Sequence, residues 1–174
     1  MNIRSLISNS LLIILLLMVQ VFLLKNLAVF GVAFGFLYVL GILTQPISIR
    51  PVPLMLISFG IGILVDLFYE TIGMHAAAAT FLAFLRPYWL KAISPSGGYD
   101  EGEEPTLNQM GARWFISYTF PLFLAYCGVF FLADQWGTGS FFGALNKILF
   151  SSLFSMLLAI LVQLLFFQRR RSIR

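Results

Sequence analysis

The chain has 174 residues, 60% of them hydrophobic and only 10% charged. A soluble domain carries about 25% charged and 45–50% apolar residues, so this chain has too little polar surface to cover a water-facing fold, and lipid is its expected solvent. The net charge of +4 is no nucleic-acid signal, because the basic residues flank apolar runs and form no stripe with interleaved aromatics.

A membrane-crossing helix needs about 20 apolar residues. Six apolar runs stand out and predict an all-α bundle of six transmembrane helices in a single domain, residues 1–174, with spans at 6–24, 27–43, 54–68, 74–90, 114–133 and 147–167. The first run follows Arg4 as a signal peptide would. It is longer than a signal-peptide core and no small-residue cleavage site follows, so it is read as a retained span. It contains Gln20, and Lys25-Asn26 separates it from the second run, which holds Gly31-x-x-x-Gly35. Pro46, Pro51 and Pro53 then punctuate a polar loop, since proline disfavours helix in the residue before it.

Runs three and four form a helical hairpin with a turn at residues 69–73. Its first arm ends in Asp66, and its second opens with the only histidine, His75, before the alanines Ala76–Ala79 and Ala83. Helical spacing puts Phe59, Gly62, Ile63 and Asp66 on one stripe. A carboxylate in a span faces protein or water in preference to lipid. Asp66 and His75 fall at similar depth on adjacent arms, where a hydrogen bond or ion pair between them is expected. With Glu70 they fix the turn, dock a partner or handle a proton or substrate.

Residues 91–113 are the one substantial hydrophilic segment. With its glycines, prolines, Asp100, Glu101, Glu103 and Glu104, it is expected to be a flexible cytoplasmic loop. The fifth run contains Pro121, expected to kink it, and the single cysteine, Cys127, read as a small packing residue. A Gly-rich turn at 134–143 leads to the sixth run and the basic tail Arg169, Arg170, Arg171 and Arg174, a candidate anchor for anionic lipid or an acidic partner. Gly31 and Gly35, the alanine run, and Ser151, Ser152 and Ser155 are smooth faces for close helix packing, within the chain or against another protein's helix.

Six spans place Arg4, Arg50, Arg86, Lys91, Arg113 and the basic tail on one side, leaving Lys25 and Lys147 on the other. Positive charge marks the cytoplasmic side, so both termini are expected there. No catalytic or metal-binding motif is present, and no cofactor is implied. Asp66 and Asp134 raise an intramembrane aspartyl hydrolase, which needs two carboxyl groups close enough to share a proton.

The hairpin resembles the MreD family of bacterial rod shape-determining proteins. The resemblance rests on Gly62, Asp66, Leu67, Phe68, Gly73, Met74, His75 and Ala76–Ala79, and on Val19-Gln20-Val21 in the first span. It implies a six-helix bundle similar to the substrate-binding subunits of vitamin transporters, lying in the bacterial cytoplasmic (inner) membrane. It also implies a non-enzymatic scaffold of cell-wall elongation. Its partners would be membrane lipids, an MreC-like bitopic protein and, through it, MreB filaments and the RodA synthase with its transpeptidase, with no nucleic acid. Gly62, Asp66, Gly73, His75, Ala76 and Ala79 are then structural or partner-binding residues. The alternative is a small-molecule transport subunit with a pocket between helices.

Overall fold

A computed structural model of the chain describes residues 3–100, 102–135 and 141–166. The basic tail Arg169, Arg170, Arg171 and Arg174 lies outside the described residues.

The fold is mostly helical. Helix α1 (Ile3–Val19) continues into a π-helical turn, Gln20–Leu24. A short antiparallel hairpin follows, β1 (Ala28–Val29) paired with β2 (Ala33–Phe34), and then a six-residue helix α2 (Tyr38–Leu43). Helices α3 (Pro51–Tyr69) and α4 (Met74–Ala92) form the expected hairpin, each slightly longer than its apolar run. Short α5 (Leu107–Met110), α6 (Ala112–Asp134) and α7 (Phe141–Phe166) complete the chain. Pro51 begins α3, where its missing N–H is no loss. Pro121 is accommodated inside α6, which remains one element.

Three helices, α3, α6 and α7, are long and apolar enough to cross a membrane, and the stretch Asn9–Leu24 is a shorter apolar helix. Their outward faces carry large apolar side chains such as Leu15, Phe22, Leu67, Leu132, Leu157 and Leu161. Helix α4 packs between α3 and α6, α7 packs on α6 and β2, and α1 packs on α2. All six residues of α2 are buried.

The expected second span is not one helix. Residues 27–43 hold a hairpin whose turn residues, Phe30 and Gly31, have φ of 52° and 70°. The pairing of Val29 with Ala33 leaves a three-residue loop, and its first two residues take the left-handed φ that glycine adopts freely and phenylalanine does not. Gly31 therefore makes a turn and does not share a helix face with Gly35. Gly35 faces α7, where an added Cβ would meet Leu158 at 2.8 Å and Phe154 at 3.1 Å.

Two further expectations are corrected. The buried stripe of α3 is Leu54, Ser58, Ile61, Gly62, Val65 and Asp66, whereas Phe59 and Ile63 face outward. The segment after α4 is not a free loop. Tyr99 donates to the Leu90 carbonyl at 3.0 Å, Ile47 N donates to the Glu103 carbonyl at 3.1 Å, and Thr106 is buried. Helix α5 is tied to α7 by Leu107 N, which donates to Gln163 Oε1 at 3.3 Å. These contacts fasten the hydrophilic segment across one end of the bundle.

Candidate functional site

Asp66 is 6% exposed and sits four residues before α3 gives way to the left-handed Glu70, φ 56°. Its carboxylate reaches across to the start of α4. Oδ1 accepts from His75 N at 3.0 Å and Oδ2 from Ala76 N at 2.9 Å, while the Thr71 hydroxyl also donates to Oδ1. A helix N-terminus leaves N–H groups without intrahelical partners and carries partial positive charge, so a carboxylate there both satisfies and neutralises. The usual N-cap side chain is missing from α4: Gly73, with φ +72°, holds that position and makes no side-chain cap. Asp66 supplies the cap from the preceding helix.

The reach is short because the two helices touch. A Cβ on Gly62 would lie 2.4 Å from Ala76 Cα and 2.8 Å from the His75 carbonyl oxygen. Gly62, one turn before Asp66, thus sets the distance over which the carboxylate bonds. Ala76, Ala78, Ala79 and Ala83 are all buried within the bundle. These four alanines form an internal seam already covered by this chain, while Ala77 faces outward.

The expected link between Asp66 and His75 exists through His75's main chain. The imidazole turns inward instead. Its Nδ1 lies 2.7 Å from the Tyr126 hydroxyl and 3.3 Å from that of Tyr38, and the two hydroxyls are 2.6 Å apart. The ring packs on Phe130, Tyr69 and Phe36, with centroids 4.5, 5.0 and 5.8 Å away. Nε2 is buried without a hydrogen-bond partner. Tyr38 and Tyr126 were invisible as candidates because each sits in an uninterrupted apolar run.

A second polar group holds the unwound segment in place. Gln20 donates to the Gly35 carbonyl at 2.9 Å and accepts from Leu37 N at 2.7 Å. Tyr69 bonds both the Gln20 side chain, at 2.6 Å, and its carbonyl, at 3.1 Å. From the other side, Ser151 accepts from Phe34 N at 3.0 Å, and Ser155 accepts from Phe36 N at 2.9 Å. Non-helical backbone at membrane depth persists only where protein satisfies it. Ser151 and Ser155 are therefore backbone partners of this chain's own strand, and their face is not open to another protein.

Arg86 is a third buried group, 2% exposed. Its Nε donates to the Tyr118 hydroxyl at 2.7 Å, and Nη2 donates to the Gln45 carbonyl and, more weakly, to that of Leu43 at 3.5 Å. Tyr118 donates to the Leu43 carbonyl at 2.9 Å. The guanidinium caps the C-terminal end of α2, where carbonyls lack partners and the helix dipole favours a cation. Counted among the basic residues that set topology, Arg86 is instead an internal fastener. Its position four residues past Leu82 on the buried face of α4 is the signal that would have revealed it.

The arrangement offers little to an aspartyl hydrolase. Both oxygens of Asp66 are occupied by main-chain donors, and Asp134 pairs with Lys147 at 3.8 Å. Among the described residues no group of three His, Cys, Asp or Glu side chains is placed to hold a metal ion. Cys127 is fully buried in the core.

Two concave surfaces among the described residues bear on function. An entirely apolar groove of about 260 Å³ runs between α1 and α3, lined by Ile14, Leu17, Met18, Val21, Phe22, Leu64, Val65 and Phe68. A cleft of about 170 Å³ lies where Gln20, Lys25, Tyr69, Asp134 and Lys147 meet Phe34, Phe36, Phe130 and Phe131. Comparison with protein-family models, with curated proteins and with solved structures finds no match to the chain.

Proposed function

We propose that the chain is a non-enzymatic, MreD-like scaffold of the bacterial cytoplasmic membrane, crossing it six times with both termini inside. In this reading it organises cell-wall elongation by binding an MreC-like bitopic protein, with MreB filaments and the RodA synthase and transpeptidase further along. The observation that carries the reading is the division of labour between polar and apolar residues. Asp66, Gln20, Ser151, Ser155 and Arg86 are each bonded to this chain's own backbone. The long helices turn large apolar side chains outward, and the α1–α3 groove is lined by exposed Ile14, Met18, Phe22, Leu64 and Phe68. A single transmembrane helix of the bitopic partner is the occupant this reading assigns to it.

The second crossing then consists of extended residues 33–36 followed by α2. At about 3.3 Å per extended residue and 1.5 Å per helical one these reach roughly 20 Å, so the hairpin and flanking turns cover the rest of a core about 30 Å thick.

Site-directed crosslinking tests the proposal. Met18→Cys and Phe68→Cys, in membranes containing a partner with a cysteine in its span, should give disulfide-linked heterodimers. Exposed positions on the far side, such as Leu157→Cys, should not. The native Cys127 is buried and contributes little background. Equal crosslinking at all three positions would remove the groove from the reading.

The polar cleft favours a second reading, a transporter's substrate-binding subunit. Its size argues against a vitamin-like substrate, because drug-sized ligands occupy about 300–1,000 Å³. Recovery of an ATPase pair on co-purification would favour this reading over the scaffold.

A further inference from the structure

The cleft beside the π-helical turn has walls and charges that the scaffold reading leaves unused. Its aromatic side is Phe34, Phe130 and Phe131. Two of its polar side chains are already committed: Gln20 to the backbone of Gly35 and Leu37, and Tyr69 to Gln20. The uncommitted chemistry is cationic. Lys147 lies 3.8 Å from Asp134 and 5.8 Å from the Phe131 ring centroid, while Lys25 has no acidic partner within 4 Å among the described residues. Two ammonium groups against one carboxylate leave the cleft with a positive excess beside apolar walls, where a Coulomb interaction is stronger than in open water.

At about 170 Å³, below the roughly 300–1,000 Å³ of pockets that enclose drug-sized ligands, the cleft suits a compact anionic group with a few carbons attached.

We infer that this cleft binds a phosphate oxyanion through Lys25 and Lys147, carried either on an anionic phospholipid headgroup or as a free phosphate. The cleft is next to the 69–73 turn, at one end of helices that present apolar faces outward, where lipid phosphates are concentrated. Asp134 holds Lys147 against Phe131 and leaves Lys25 as the principal donor.

Native mass spectrometry of the full chain released from detergent tests the lipid carrier. Phosphatidylglycerol should be retained in preference to phosphatidylcholine by about tenfold, the scale expected of one or two lysines near an anionic headgroup. The double variant Lys25→Gln/Lys147→Gln should bring the two lipids to within about twofold, and Lys25→Arg/Lys147→Arg should keep the preference. The free carrier is tested without added lipid: millimolar inorganic phosphate should raise the unfolding temperature where chloride at equal ionic strength does not. Either preference, when the glutamine variant abolishes it and the arginine variant keeps it, supports the site and identifies its carrier. Equal retention of the two lipids by the wild-type chain, with no phosphate-specific shift, overturns the inference, and that comparison needs no variant to fold. Undiminished preference in the folded glutamine variant would overturn it as well.

Discussion

The α3–α4 hairpin and the segment at residues 27–43 are equally apolar to the eye, yet one is two uninterrupted helices and the other is unwound over half its length. In the hairpin the main chain is helical through both arms, and at the start of α4 Asp66 accepts from the His75 and Ala76 amides. In the second segment Val29, Phe30, Val32, Phe34 and Phe36 flank Gly31 and Gly35. Such residues have weak helix propensity, and the run suits an extended chain as well as a helix. Propensity alone would not unwind a segment in lipid, because each main-chain group left without a partner there costs several kcal/mol. Gln20, Ser151 and Ser155 remove that cost. The difference between the regions is thus decided by side chains on other elements.

The largest expected effect lies in the hairpin. Gly62→Leu puts a side chain where even a Cβ would be 2.4 Å from the Ala76 backbone. The helices must separate, which also pulls Asp66 off the α4 amides. Overpacking alone costs about 1–3 kcal/mol, and losing the cap adds about 1 more. The expected outcome is little or no folded protein by size-exclusion chromatography in detergent. A variant of normal yield and thermal stability would mean that the two helices are not in contact.

Next comes the unwound segment. Gln20→Leu removes the partners of Gly35 O and Leu37 N together. Each buried group left unsatisfied costs about 1–3 kcal/mol, so a loss of about 3 kcal/mol is expected in thermal or denaturant unfolding. Ser155→Ala, which removes the acceptor of Phe36 N and a longer, 3.4 Å bond to the Phe34 carbonyl, should cost about 1 kcal/mol. If the serine change were the more damaging, α7 and not the π-helical turn would be the principal support of the strand.

Asp66 comes between these. Asp66→Ala leaves the His75 and Ala76 amides without acceptors and should cost about 2 kcal/mol. Asp66→Asn keeps one acceptor oxygen and should lose about half as much. Both effects should appear in stability and not in any proton-coupled activity. A variant of wild-type stability that has lost function would reverse that assignment and restore a chemical role to the carboxylate.

These regions also differ in how much of them could be read from the chain. The hairpin was legible because its signals are local: Asp66 interrupts an apolar run, Gly73 marks the turn, and the small residues Gly62 and Ala76 imply close approach. What was not legible was which atoms of His75 Asp66 would meet, since spacing along a helix places a residue but does not orient its ring. The unwound segment was illegible for a physical reason. Its partners Ser151 and Ser155 lie more than a hundred residues away along the chain, and a serine on an apolar helix face looks the same whether it packs against a helix or bonds a strand. Tyr38, Tyr126 and Arg86 were missed likewise, because their roles depend on neighbours from other helices. The hydrophilic segment after α4 was misjudged from composition, since Tyr99 and Thr106 dock among residues that otherwise favour disorder.

The smallest expected effect, and the only stabilising one, is at the tip of the strand hairpin. Phe30 is 95% exposed and holds φ at 52°. A left-handed conformation costs an ordinary L-residue about 1–2 kcal/mol, whereas asparagine, whose short polar side chain bonds locally, tolerates it. Phe30→Asn should therefore stabilise the chain by up to about 1 kcal/mol, read as a rise of a few degrees in unfolding temperature in detergent. The same variant in membranes separates two reasons for keeping a phenylalanine at a strained position. If the ring touches nothing, the gain seen in detergent should persist in lipid. If stability or partner recovery falls in the membrane while it rises in detergent, the ring has a contact outside this chain, and the strain is retained for that contact.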